Sequence, residues 1–148
     1  ITNDGPKVIE YNCRFGDPEC ELIMPMLNGN LSEILLSISK NNFDSSLVSW
    51  QNKKGVCVVI CSGGYPKQYD VNFEIIGLKN INKKILCFHS GTKEFTGKLV
   101  TNGGRVIVLS SLDKTIKKSR ENIYKEIDKV KFKGSFYRTD IALKAEEK

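Results

Sequence analysis

The feature that most constrains the fold is a series of short apolar runs, separated by glycine turns, that begins at Gly55. Residues 56–61 are apolar at every position, which is typical of a strand buried on both faces. Residues 74–78 and 85–89 predict two further short strands. The change to short strands with glycine turns marks the start of a separate β-rich domain at Gly55.

The end of the chain adds a hairpin, one helix and a last strand to this domain. Residues 99–101 and 105–112 flank Asn102-Gly103-Gly104, which is a hairpin signal. A helix is predicted from Asp113 or Thr115 to about Val130, with an apolar stripe that packs on the sheet. The stripe consists of Ile116, Ile123, Tyr124, Ile127 and Val130. Residues 136–142 predict the last strand, and residues 144–148 a frayed tail.

The first 42 residues have a different pattern, one strand followed by two helices. Asp17 and Pro18 predict the start of a helix that runs to about Leu27, is perturbed at Pro25 and is closed by Gly29. Asn30, with Glu33 three residues later, resembles a capping box and predicts a second helix. The apolar stripe of that helix consists of Leu31, Ile34, Leu35 and Ile38. Residues 43–54 are predicted to be a connector anchored by Trp50.

The predicted strand over residues 8–15 carries the candidate chemistry. Side chains alternate along a strand, so Ile9, Tyr11, Cys13 and Phe15 form an apolar face, opposite a polar row of Glu10, Asn12 and Arg14. Residues two apart lie about 6.5 to 7 Å from each other, so a carboxylate and an amide oxygen of the row reach one ion. Mg²⁺ prefers such hard oxygen ligands, and an arginine fork matches phosphate oxygens. The alternative is an ordinary half-buried strand with a polar outer face.

Composition leaves a nucleic-acid-binding module open as an alternative of a different class. The net charge is +6 and the pI about 9.0, but only four of the 23 basic residues are arginines, the usual residue of base and phosphate readout. No apolar run approaches the roughly 18 to 20 residues of a membrane span. The odd number of cysteines, five, indicates a cytoplasmic protein without a disulfide framework. Cys57 and Cys61 lie about 13 Å apart on a strand, which makes them core thiols and not zinc ligands.

Five stretches of the chain resemble one family of ATP-grasp ligases. The run PKVIEYNCRFGDPE, residues 6–19, resembles the metal-binding strand and following loop of glycinamide ribonucleotide synthetase (phosphoribosylamine–glycine ligase). VVICSGGYP, CFHSGT, VTNGGRVIVLSSL and YRTDIALKA resemble the C-terminal domain of the same family, in its order. The resemblance covers only the C-terminal part of a considerably longer enzyme.

The resemblance implies an α+β fold made of two parts. Residues 1–42 would be the end of an ATP-grasp domain (strand plus helices), residues 43–54 a connector, and residues 55–148 a mostly antiparallel β C-terminal domain with one packed helix. It also implies ligation of glycine to 5-phosphoribosylamine with ATP as co-substrate, through glycyl phosphate, in purine biosynthesis. We expect the rest of the polypeptide as partner, no nucleic acid and no membrane. The nearest alternative is another ATP-grasp ligase, such as a biotin carboxylase relative.

The resemblance also implies roles for particular residues. Glu10 and Asn12 would bind Mg²⁺ (or Mn²⁺), and Arg14 would contact the phosphoryl or acyl-phosphate oxygens. Asp17 would position glycine or the loop, in addition to capping the helix. The predicted substrate-binding residues are Gly16, Asp17, Glu19, Gly64, Tyr65, Pro66, His89, Thr92 and Arg105. The glycine turns among them form anion nests or, in the simpler reading, only tight turns.

Overall fold

The computed structural model describes residues 1–146, which form seven strands, four α-helices and three short 3₁₀ helices. The strands are β1 (Leu27–Asn28), β2 (Ser49–Trp50), β3 (Lys54–Cys61), β4 (Leu86–His89), β5 (Thr92–Phe95), β6 (Lys98–Thr101) and β7 (Arg105–Asp113). The α-helices are α1 (Cys20–Met26), α2 (Leu31–Ser39), α3 (Ile116–Tyr124) and α4 (Leu143–Glu146). The 3₁₀ helices are Ser45–Leu47, Leu78–Asn80 and Ile127–Lys129. None of the described helices combines the length and apolar character of a membrane span.

Three small antiparallel sheets and a packed helix confirm the predicted α+β class. The main sheet has the order β3-β7-β4, so the longest strand, β7, is hydrogen-bonded on both sides. Its centre is completely buried, as expected for a strand that is apolar on both faces. The other two sheets are the pairs β1-β2 and β5-β6.

The core lies between the main sheet and the segment that follows it. Val58, Ile60, Ile107 and Leu109 of the sheet pack with the predicted helical stripe, of which Ile123, Ile127 and Val130 are buried. Thr115 caps α3, because its hydroxyl accepts the Lys118 N–H at 3.1 Å. The predicted single helix to Val130 ends at Tyr124 and resumes as the 3₁₀ turn Ile127–Lys129. At the break, Glu126 accepts the backbone N–H of Asn82 at 2.7 Å, which ties this turn to the loop before β4.

The predicted hairpin across Asn102-Gly103-Gly104 is wrong. β6 pairs with β5, and β7 pairs with β3 and β4. The actual hairpin turn is Thr96-Gly97, in which both residues have positive φ (49° and 73°), as a two-residue hairpin turn with the favoured twist requires. The Gly103 turn instead carries the chain from one sheet to the next.

Two further predicted strands are reduced to isolated bridges. Glu74 bridges to Val100 and Ile76 bridges to Lys131, so neighbouring positions of this segment pair with different partners and no ladder forms. In residues 136–142 only Phe136 forms a bridge, to Cys61. Residues 144–146 of the tail predicted to fray belong to α4, while residues 147–148 lie outside the described part of the chain.

Arg120 explains why the chain stays packed up to α4. Its guanidinium donates to the carbonyl oxygens of Ile141 at 3.0 Å and Thr139 at 2.6 Å. The same group lies 4.6 Å from the centre of the Tyr124 ring, in a cation–π contact. Residues 139–141 are therefore held against α3 without forming a strand.

The strand predicted over residues 8–15 is absent from the described structure. Its apolar face is open: Ile9 is 97% exposed and Tyr11 84% exposed. An extended segment becomes a strand only when a neighbour supplies backbone partners, and the sole backbone pairing in residues 1–15 joins Thr2 to Gly5. α1 begins at Cys20, not at Pro18, and its N-cap is Glu19 and not Asp17.

The second helix follows its predicted start but not its predicted burial. Asn30 caps α2, accepting the Ser32 N–H at 3.0 Å, and its amide donates to Glu33 at 3.2 Å. Of the four stripe residues only Ile34 is buried. Trp50 is 53% exposed, so it does not anchor the connector as predicted. No described element covers the face of α2 that carries Leu35 and Ile38.

Candidate functional site

The polar row keeps two of its members side by side although no strand forms. The amide nitrogen of Asn12 donates to the Glu10 carboxylate at 3.2 Å, so the two side chains converge on one point of the surface. Both are exposed, and one carboxylate with one amide offers the hard oxygen donors that suit Mg²⁺. Within residues 1–146 no group of three or more His, Cys, Asp or Glu side chains is arranged to hold a metal ion. A metal bound here would therefore complete its shell with water and substrate oxygens.

Arg14, the third member, does not pair with a carboxylate in the described structure. Its Nη1 donates to the carbonyl oxygen of Phe15 at 2.6 Å, and the side chain is exposed. Most of the guanidinium donors are thus accessible from solvent. The group has the geometry to bind a planar or tetrahedral anion.

Within residues 1–146, Asp17 and Arg105 form the one ion pair that joins residues 1–54 to the β-domain that begins at Gly55. Nη2 of Arg105 lies 3.2 Å from Oδ2 of Asp17, and Nη1 donates to the Asp17 carbonyl oxygen at 3.1 Å. The second carboxylate oxygen, Oδ1, is shielded from solvent and has no hydrogen-bond partner within residues 1–146. The sequence predicted both residues for the site separately but not their contact, because 88 positions separate them.

Gly16 makes room for Glu19 beside this pair. A Cβ atom at position 16 would overlap the Glu19 carboxylate, which folds back over the glycine. The loop 16–19 therefore brings the carboxylates of Asp17 and Glu19 to the start of α1. This charge arrangement is favourable at a helix N-terminus.

Three glycine turns, Gly63-Gly64, Gly91 and Gly103-Gly104, form a turn cluster where β3 and β4 end and β7 begins. Ser62 N–H donates to the Gly104 carbonyl oxygen and Ser62 Oγ to that of Gly103, both at 2.8 Å. A Cβ atom on Gly91 would lie 2.8 Å from the Cα of Gly103, and one on Gly104 would overlap the Tyr65 ring. Close packing around Gly91 and Gly104 therefore explains why these positions have no side chain. Their use as anion nests stays a prediction.

The other predicted substrate residues surround this turn cluster. Nδ1 of His89 lies 3.1 Å from Oγ1 of Thr92, on either side of Gly91. Tyr65 packs against the Tyr69 ring with centroids 6.2 Å apart. With Pro66, Tyr65 also lines a cavity of about 290 Å³ between β3 and residues 136–141. Gly64 has a φ of +97°, which explains the glycine at that position.

Cys57 faces the same cavity as a protonated thiol. Burial raises its pKa to about 11, and the negative charges of Glu21, Glu19 and Asp17 add to the shift. Its sulfur donates to the Pro18 carbonyl oxygen at 3.5 Å, a contact between loop 16–19 and the sheet. Because the thiol is neutral at neutral pH, Cys57 is suited to packing and not to nucleophilic attack.

Comparison with known proteins shows one consistent relationship. The family described as phosphoribosylglycinamide synthetase, C domain, matches residues 55–144. The phosphoribosylamine–glycine ligase of Caldanaerobacter subterraneus subsp. tengcongensis is 43% identical over 142 residues, which cover 96% of this chain and 34% of that protein. The trifunctional purine biosynthetic protein adenosine-3 of Gallus gallus is 41% identical over 147 residues, or 98% of this chain and 15% of that protein.

A solved structure shares the fold. The crystal structure of phosphoribosylamine–glycine ligase from Thermotoga maritima superposes with a TM-score of 0.77 at 33% sequence identity, covering 93% of this chain and 34% of that one. The chain thus spans about a third of the length of these bacterial relatives. The alignment with the Caldanaerobacter protein leaves out only six of the 148 residues, so it includes most of residues 1–54, which the family match does not cover.

Proposed function

The chain belongs to the phosphoribosylglycinamide synthetase C-domain family, and from that premise we propose that it works as part of a phosphoribosylamine–glycine ligase. The reaction joins glycine to 5-phosphoribosylamine, giving glycinamide ribonucleotide, with ATP converted to ADP and phosphate. Glycyl phosphate is the intermediate that the amine attacks. The observation that carries the proposal is the alignment of 96% of this chain with a protein of that name at 43% identity.

The polar row, formed by Glu10, Asn12 and Arg14, supplies the residues proposed to act on the transferred phosphoryl group. We assign Glu10 and Asn12 to Mg²⁺ (or Mn²⁺), because the two side chains are neighbours, with Nδ2 of Asn12 3.2 Å from Oε1 of Glu10, and Mg²⁺ takes one or two protein groups together with substrate phosphates. Binding would turn the amide so that its oxygen, and not its nitrogen, faces the ion. When bound, the ion would neutralise charge on phosphoryl oxygens. Arg14 would bind the phosphoryl or acyl-phosphate oxygens through its free donors, since positioned cationic groups dominate the stabilisation of such transition states.

Asp17 is proposed to hold the ammonium group of glycine. Its Oδ2 is engaged by Arg105, while Oδ1 has no partner within the described residues but is shielded from solvent, so an ammonium group would reach Oδ1 once loop 16–19 moves aside. A buried acceptor without a partner costs about 1 to 3 kcal/mol, which a bound ammonium would recover. The loop residues Gly16 and Glu19 and the turn-cluster residues Gly64, Tyr65, Pro66, His89 and Thr92 are proposed to line the substrate side.

The proposed context is the remainder of a longer polypeptide in the cytoplasm. Because the chain spans about a third of its bacterial relatives, the proposed turnover requires the whole protein. All five cysteines, which lie within the described residues, are free, as suits a reducing compartment. We propose no nucleic-acid partner and no membrane partner for this chain.

The test of the proposed function is ADP release by the whole protein. With ATP, Mg²⁺ and phosphoribosylamine present, we expect release to depend on added glycine and not on bicarbonate. Glycinamide ribonucleotide should form in equal amount and be identified by mass. Release that follows bicarbonate, or none with glycine, would overturn the proposal and favour another ATP-grasp ligase.

Replacing Arg14 with lysine tests the phosphoryl role of that residue. The lysine keeps the positive charge but loses the planar fork, so kcat in the whole enzyme should fall about 10- to 100-fold. Arg138→Lys is the matched control: Arg138 is also exposed, and its guanidinium already pairs with Asp140 at 2.6 Å, so kcat should stay within about twofold. An unchanged rate for Arg14→Lys would make Arg14 a structural residue.

A further inference from the structure

We propose that Arg105 is a positioning residue, whose guanidinium fixes the loop that carries Asp17 instead of binding substrate. The inference rests on the proposed ligase function. It revises the role that the family resemblance implied for Arg105, which was substrate binding. The revision follows from the two contacts to Asp17, at 3.2 Å to the carboxylate and 3.1 Å to the carbonyl oxygen.

The two contacts use the guanidinium as a clamp. One nitrogen engages the side chain of Asp17 and the other its backbone, so that both the position of the loop and the direction of the carboxylate are set together. A lysine offers one nitrogen on a flexible stem and does not hold two acceptors in a fixed plane. The side chains of Arg105 and Asp17 are 37% and 31% exposed, so this pair is better shielded from solvent than the pair Lys98–Glu74.

Arg105 stands at the start of a deeply buried strand. It opens β7, whose next four residues are completely buried, and the preceding Gly104 is tied to Ser62 by a hydrogen bond of 2.8 Å. Asp17 lies in contrast on a loop between the exposed segment 1–15 and the short helix α1. The buried strand β7 thus holds loop 16–19 through Arg105. The position of Asp17 therefore depends on the position of the turn cluster next to Arg105.

The clamp also selects which oxygen of Asp17 stays free. Oδ2 is engaged by Arg105, and Oδ1 keeps no partner within residues 1–146. Without Arg105 the carboxylate would rotate, and both oxygens would compete for solvent. Substitution of Arg105 should therefore lower kcat/KM for glycine. It should have little further effect in a protein in which Asp17 has already been substituted.

A double-mutant cycle in the whole enzyme tests this coupling. The variants are Arg105→Met, Asp17→Asn and both together, each assayed for glycine-dependent ADP release. Arg105→Met should lower kcat/KM for glycine about 10- to 100-fold, the range of a lost charge-assisted hydrogen bond, and leave KM for phosphoribosylamine within about twofold. In the Asp17→Asn background, the same change should cost less than about threefold. Arg105→Lys should recover part of the loss.

Control variants separate positioning from folding. Lys98→Met breaks another ion pair between distant segments, 2.7 Å long, and should leave kcat/KM for glycine unchanged. Should Arg105→Met fail to fold, the cycle is run with Arg105→Lys, which retains the charge. Additive effects of the two substitutions, a raised KM for phosphoribosylamine, or an unchanged KM and kcat would each overturn the inference. A wild-type enzyme without glycine-dependent release would instead overturn the proposed function.

Discussion

Glu10→Gln in the whole enzyme should lower glycine-dependent ADP release more than about 100-fold. The substitution keeps the size of the side chain but replaces a carboxylate by an amide, so the pair with Asn12 loses the only charged oxygen donor of the proposed metal site. The Mg²⁺ concentration for half-maximal rate should rise, and this is measured by titrating Mg²⁺ at saturating ATP. Because Glu10 is exposed, the melting temperature should remain within about 2 °C of wild type.

Asp4→Asn is the matched control for this experiment. Asp4 is an exposed carboxylate of the same N-terminal segment, outside the polar row, and its substitution should leave the rate and the Mg²⁺ dependence unchanged. Activity of Glu10→Gln within about threefold of wild type would remove Glu10 from the metal site. An equal loss in Asp4→Asn would show a general effect of negative charge in this segment.

Leu109→Ala should destabilise the chain by about 2 to 5 kcal/mol. Leu109 is completely buried at the centre of β7, opposite Val58 of β3 and Cys87 of β4. Its removal leaves a cavity that the two neighbouring strands cannot close without breaking their hydrogen bonds. Urea denaturation followed by circular dichroism measures the change in the free energy of unfolding.

Leu36→Ala is the control of the same chemistry at an exposed position. Leu36 lies on α2 with 52% of its surface exposed, so its truncation should change the free energy of unfolding by less than about 0.5 kcal/mol. Equal effects of the two substitutions would contradict the assignment of the core. A large effect of Leu36→Ala alone would mean that the open face of α2 is covered in solution.

Features of the sequence that act locally were sufficient to predict much of the fold. Apolar runs bounded by glycine predicted β3, β4 and β7, and side chains able to cap helices predicted the starts of α2 at Asn30 and α3 at Thr115. A cap or a buried strand depends on residues within a few positions, so the sequence pattern carries the information. The family resemblance, confirmed by the match to residues 55–144, rested on motifs of the same short range.

Only the tertiary structure decided which segments meet. β6 pairs with β5 and not with β7, and residues 8–15 form no strand, because pairing depends on which backbone groups a neighbour presents. The contact between Asp17 and Arg105, across 88 positions, arises because β7 places its first residue beside loop 16–19. The sequence by itself determined the residue types of the candidate site. Their contacts were decided by packing, since long-range contacts depend on the whole chain and not on its local pattern.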